Sequence, residues 1–218
     1  MSNAAKQPRG SNVRNHLIEV AYGLFVRNGI RGVGIDTILA KSGNAKTTLY
    51  KHFKSKTDLT LAALDLRETL WTRGWFEAEI QRRARTPIER LPLIFDILDD
   101  WFRRSDFEGC FFINVLLEFP RGGREHRAAA AHLLRIREIV RKLARDADLA
   151  RPNRFAQVWN MLMHGSIVSA GEGNRDAARD AKMAGKFVLN GWPRAVASRA
   201  PRRHPANGRD SGITAIRE

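Results

Sequence analysis

Apolar residues recur at helical spacing along most of the chain, and no stretch shows the alternation of a half-buried strand. From Val13 to Asn28 the apolar positions Val13, Leu17, Val20, Ala21, Leu24 and Phe25 form one stripe, which Gly29 stops. Ile35, Ile38 and Leu39 form a second, shorter stripe ending at Ser42-Gly43. Leu49 and Phe53, spaced i, i+4, form a third. Gly43 can adopt the positive φ that ends one helix, and Asn44 can cap the next through its side-chain oxygen. The spacing predicts a three-helix bundle whose last two helices meet at a glycine turn, the joint of a helix-turn-helix.

Downstream, Ser55 and Asp58 give a capping signal for a long helix through Leu59, Ala62, Ala63, Leu66 and Leu70. Gly74 falls inside that run, where close packing beside Trp71 and Trp75 explains it better than a hinge. Thr86-Pro87-Ile88-Glu89 is a capping threonine, a first-turn proline and a third-position glutamate, opening a helix that buries Leu91, Phe95, Leu98 and Phe102 and that Pro92 should bend. Gly109 to Pro120 reads as a short buried helix. Arg124 to Ala150 reads as a basic amphipathic one with Leu133, Leu134, Ile136, Val140 and Leu143 facing inward and its arginines solvated.

The helix from Pro152 to Ala170 is apolar on two sides, Phe155, Trp159 and Leu162 on one and Val158, Met161, Gly165 and Val168 on the other, so it needs two neighbours. The last helix, Asp176 to Leu189, carries small residues at Ala177, Ala181, Ala184 and Gly185 that permit close approach. These two helices form the expected dimer face. Gly171-Glu172-Gly173 is a break between helices and not a nucleotide loop, because no strand precedes it. After Trp192-Pro193 the apolar period is lost.

Charge changes the picture. The first 56 residues hold ten Lys and Arg against Glu19 and Asp36, a net +8 of the chain's +15, so a quarter of the length carries over half the excess. Such a field suits phosphate neutralisation. On the third helix Lys46, Thr47, Thr48, Tyr50, Lys51 and His52 occupy the surface left by Leu49 and Phe53, which places cations, hydroxyls and ring donors on one exposed face. With 218 residues, 43% of them hydrophobic, the chain can bury a sizeable core. No apolar run approaches the roughly 20 residues that cross a bilayer, and the N-terminus lacks the apolar centre of a signal peptide, so a cytoplasmic location and no membrane partner are expected. The single cysteine, Cys110, rules out an internal disulfide framework and reads as a small buried apolar residue.

The Leu24-Phe25 to Gly29 segment, the Ile38 to Gly43 helix end and the Lys46 to Lys56 run K-x-T-L-Y-x-H-F-x-S-K resemble the N-terminal domain of the tetracycline-repressor-like (TetR) family of transcriptional regulators. The resemblance covers about 50 residues. It implies an all-α homodimer with an N-terminal three-helix bundle containing the helix-turn-helix and a C-terminal helical ligand-binding and dimerisation domain. On that pattern residues 1–10 are a flexible basic N-terminus, 11–56 the DNA-binding domain, 57–193 the ligand-binding and dimerisation domain, and 194–218 a disordered basic tail. Lys46, Thr47 and Thr48 would sit at the DNA-facing start of the third helix, Tyr50, His52 and Lys56 would contact the DNA backbone or nearby bases, and Lys51 is a further DNA-binding candidate. The chain departs from the family at Gly34 and Ala45, where a hydroxyl usually starts the second and third helices.

Catalysis finds no support in the sequence. His16, His52, His126, His132, His164 and His204 are scattered without a metal-ligand spacing, no nucleophile, histidine and acid share a motif, and neither a cofactor nor a metal is expected. Asp96, Asp99 and Asp100 lie opposite the apolar stripe of their helix and read as solvated charges. The expected function is therefore a ligand-responsive dimeric repressor released from a palindromic operator by a small-molecule effector. Its tentative pocket is drawn from Trp71, Trp75, Phe95, Trp101, Phe112, Asn114, Trp159 and His164. An architectural or nonspecific DNA-binding protein without a ligand is the alternative, and an all-α enzyme a more distant one.

Overall fold

The computed structural model describes residues 9–195. In chain order its helices are α1 (Arg9–Asn28), α2 (Ile35–Ser42), α3 (Lys46–His52), α4 (Lys56–Arg67), a π-helical segment (Glu68–Glu77), α5 (Ala78–Arg83), α6 (Pro87–Phe102), α7 (Phe111–Glu118), α8 (Arg124–Asp146), α9 (Pro152–Gly171) and α10 (Ala177–Gly191). Among the described residues the β pairing is confined to one isolated bridge, Leu149 to Arg194.

The head forms as the stripes predict. Leu17, Ala21, Phe25, Ile38, Leu49 and Phe53 are all buried, and burying a side chain of leucine or phenylalanine size contributes roughly 1.5 to 3 kcal/mol. Gly43 ends α2 at φ 67° in the left-handed region, with its N–H donating to the Leu39 carbonyl. The expected Asn44 cap does not form. Ala45 is the N-cap of α3 without a side-chain bond, and the Asn44 amide donates instead to the Ser42 carbonyl at 3.0 Å. Gly34 likewise caps α2 without a side chain.

Ser55 accepts from the Asp58 N–H to open α4, and Thr86 and Glu89 form the reciprocal capping box at the start of α6. Between them the chain stays helical but widens into the π segment. There a Cβ on Gly74 would lie 2.9 Å from the Thr69 carbonyl oxygen, five residues back, so the π backbone and not the neighbouring tryptophans requires glycine. In the body α8 packs on α6, α7 and α9, and α10 lies against α6 and α9. Head and body share one continuous apolar core.

Several expectations need correction. Leu70, Leu117 and Leu134 are exposed, so the π segment, α7 and α8 are not buried on those sides. Ala177, Ala181 and Gly185 turn into the protomer's own core: a Cβ on Gly185 would come within 2.9 Å of the Phe95 ring and 3.1 Å of Trp159. Gly185 serves this intramolecular contact, Ala177 and Ala181 are buried within the protomer, and Ala184 is half-buried. At the ends, α1 begins at Arg9, and Ala195 N–H donates to Asp148 O at 2.7 Å. The expectations for residues 1–8 and 196–218 lie outside the described residues.

Candidate DNA-binding head and effector cavity

Burial of Leu49 and Phe53 fixes the rotation of α3 and thereby decides what the helix offers to solvent. Lys46, Thr47, Tyr50 and Lys51 are exposed, while Thr48 and His52 are half-buried. The His16 ring pairs with the Ser42 carbonyl at 3.2 Å, and the Arg14 guanidinium lies 5.2 Å from the centre of the Phe53 ring, so α1 braces both helices of the motif. Lys56 differs from the other cations of the cluster. It is half-buried, and burial lowers its pKa while the Glu118 carboxylate partly offsets that effect.

Polar contacts from α7 and α8 hold the head and the start of α4. At the end of α7, Glu118 Oε2 accepts from the Ile30 N–H at 3.0 Å and Oε1 from the Arg31 N–H, gripping the turn between α1 and α2. Gly29, at φ 70° in that turn, has the Glu118 carboxylate 3.6 Å from where its Cβ would be. Arg124, at the start of α8, pairs with Asp58 at 2.9 Å, and this bond, with the Ser55 hydrogen bond, holds the Asp58 pKa below its usual value. Thr57 donates to Glu125 beside it.

The residues expected to line one pocket separate into several environments. Trp71 and Trp101, with ring centres 5.0 Å apart, line a cavity of about 390 Å³ together with Tyr22 and Val26 of α1, Arg67 and Phe111. Trp75 packs on Trp71 but does not line it. Phe95 and Trp159 are a core pair, their rings 5.2 Å apart. Phe112 is buried and stacks on the His132 ring at 4.7 Å. Asn114 is exposed, its amide directed to the Glu108 carbonyl. His164 lies in a separate groove with Arg137 and Leu133, and burial followed by repulsion from Arg137 lowers its pKa. The three aspartates of α6 are paired and not merely solvated: Asp96 with Lys182, Asp99 with Arg103, and Asp100 with Arg83.

A buried polar node escaped the sequence reading. Glu68 and His132 are both buried, with His132 Nδ1 3.1 Å from Glu68 Oε2 and the Arg135 guanidinium 3.0 Å from the same ring nitrogen. Burial pulls the imidazole pKa down, against the opposing pull of Glu68. One signal was available: Glu68 falls four residues after Leu64 and three before Trp71, on the buried stripe, where a lone carboxylate requires a partner. Cys110 is buried as expected, and burial raises its thiol pKa.

A basic, hydroxyl-bearing helix exposed at the second position of a helix-turn-helix is the arrangement that DNA-binding regulators present to a major groove. The profile described as "Bacterial regulatory proteins, tetR family" matches residues 17–63. The regulator QacR of Staphylococcus aureus is 33% identical over 70 residues, 32% of this chain and 37% of QacR. The transcriptional regulator AcuR of Cereibacter sphaeroides is 25% identical over 175 residues, 75% of this chain and 78% of AcuR. The structure of SCO4454, a TetR-family transcriptional regulator from Streptomyces coelicolor, matches with a TM-score of 0.73 and 25% identity over 85% of this chain and 96% of that one. Residues 17–63 carry the TetR-family regulator domain, and the fold of the whole chain is similar to that of the TetR-family regulator SCO4454. The QacR match spans little more than a third of that protein's length. No described helix is long and apolar enough to cross a membrane.

Proposed function

We propose that the protein is a cytoplasmic homodimeric repressor whose heads, residues 11–56, read a palindromic operator. A small molecule bound to the body, residues 57–193, releases it. The observation that supports this reading most directly is the α3 surface: with Leu49 and Phe53 buried, Lys46, Thr47, Tyr50 and Lys51 all face solvent. Lys46 neutralises a phosphate and Thr47 reaches a base edge, with Thr48, His52 and Lys56 flanking them. Dimerisation is supported by an uncovered apolar face on α9 and α10, where Met161 is 71% and Phe187 74% exposed and Val168 and Met183 stand beside them. Release follows by linkage: a ligand that prefers a body conformation whose heads no longer match successive major grooves lowers operator affinity by its differential affinity.

Sequencing the genomic DNA that the full chain retains from random fragments tests the reading. A short palindrome supports it, and uniform coverage indicates an architectural role. On the recovered site, Lys46→Ala should weaken binding and flatten the slope of log affinity against log salt by about 1. An unchanged slope removes Lys46 from the phosphate contacts.

A further inference from the structure

We propose that the cavity between α1 and the body binds a small flat organic carboxylate, with Arg67 as its anchor. The proposal deepens the effector reading above and rests on it for its regulatory consequence. Three guanidinium groups, Arg27, Arg67 and Arg104, stand in the wall with two carboxylates, Asp106 and Glu108. Arg104 and Asp106 neutralise each other through two bonds of 2.8 Å, and that pairing holds the Asp106 pKa down. Arg67 makes no salt bridge among the described residues, although its charge also acts on the Asp106 carboxylate. One of its nitrogens donates to the Tyr22 hydroxyl at 2.9 Å, and its guanidinium lies 4.9 Å from the Trp71 ring centre and 5.6 Å from that of Trp101.

This arrangement is that of a held, unspent cation. Aromatic faces fix the plane of a guanidinium without consuming its N–H donors, and a guanidinium has five donors in a fork that matches a carboxylate. The tyrosine hydroxyl takes one. A partly buried charge left so is disfavoured unless an anion completes it. The remainder of the wall specifies the body of that anion. Trp71, Trp101, Phe111 and Val26 are apolar surfaces suited to a flat group, and about 390 Å³ lies at the small end of ligand pockets.

The location gives such a ligand leverage on the head. Tyr22 and Val26 belong to α1, whereas Arg67, Trp101 and Phe111 belong to the body, so an occupant touches both. Phe111 is also the first residue of α7, whose last residue, Glu118, grips the α1 to α2 turn. A ligand that draws Arg67 from Tyr22 removes a direct head-to-body contact.

Titration of the full chain, followed by tryptophan fluorescence and calorimetry, tests this with benzoate and cinnamate as probes and with benzamide and benzylammonium as the neutral and cationic counterparts. Both carboxylates should bind, benzamide about tenfold or more weaker, and Arg67→Gln should lose carboxylate affinity by a similar factor while keeping the parent's circular dichroism. Arg67→Lys should recover only part, because lysine cannot make the bidentate pair. Val26→Trp, which fills the cavity and leaves Arg67 in place, should abolish binding and covers the case in which Arg67→Gln does not fold. Equal binding of benzoate and benzamide, a preference for benzylammonium, undiminished affinity in Arg67→Gln or Val26→Trp, or no binding of either carboxylate overturns the proposal. A wild type that retains a discrete operator yet ignores both carboxylates refutes this site alone. Arg67-dependent benzoate binding without a discrete operator refutes the regulator reading and leaves the site standing.

Discussion

Replacing Glu118 with alanine should loosen the head locally at the turn it grips. The carboxylate accepts from two backbone donors, and a hydrogen bond to a charged group contributes about 1.5 to 3 kcal/mol. The two amides differ in what replaces the lost acceptor. Arg31 is exposed and water can take over, whereas Ile30 is buried and its N–H loses its partner. The net loss is therefore about 2 kcal/mol, centred on Ile30, or roughly a 30-fold change in an opening equilibrium. The alteration also removes the carboxylate that partly offsets the burial of Lys56, so that ammonium is further disfavoured. Hydrogen exchange on the full chain reads the effect directly: protection of the Ile30 amide should fall about 30-fold, that of Arg31 much less, and Glu118→Gln should lie between wild type and alanine because its carbonyl still accepts one bond. Ile30 protection unchanged in Glu118→Ala would refute the grip.

Other consequences are as specific. Gly185→Val should cost about 1 to 3 kcal/mol by overpacking against Phe95 and Trp159, with a fall of several degrees in thermal midpoint; an unchanged midpoint would show that α10 can move away freely. Burial lowers the pKa of His132 and of His164, so each is neutral in the fold at a pH where the unfolded chain already binds a proton; the stability they contribute is fully present above about pH 6.5 and is lost as pH falls toward the lowered values. Urea denaturation at pH 7.5, 6.5 and 5.5 should show that decline, and a slope no shallower in His132→Gln would assign it elsewhere. Charging the uncovered face with Val168→Asp and Phe187→Asp should yield a monomer in sedimentation with lost operator affinity, and an intact protein that is already monomeric would remove the dimer from the proposal.

The local rules were readable in the chain: Leu49 and Phe53 at i, i+4, the left-handed turn at Gly43, the Ser55 cap and the Thr86–Glu89 box all appear where their spacing places them. Each depends on residues within one or two turns, so the sequence by itself determined the helices and the orientation of α3. Even there neighbours intervened, since the Asn44 amide found the Ser42 carbonyl instead of capping α3. What tertiary structure alone decided depends on residues far apart in sequence. Glu118 meets Ile30 across 88 positions and Glu68 meets His132 across 64. Small residues at Ala177, Ala181 and Gly185 announce close approach without naming the neighbour, and at Gly185 Phe95 and Trp159 of the same chain come close. The tryptophans were equally mute in sequence, because a helix periodicity distinguishes buried from exposed but not core from cavity. Only the tertiary packing separated Trp71 and Trp101, which border open space beside Arg67, from Trp159, which is fully buried against Phe95 and Phe155.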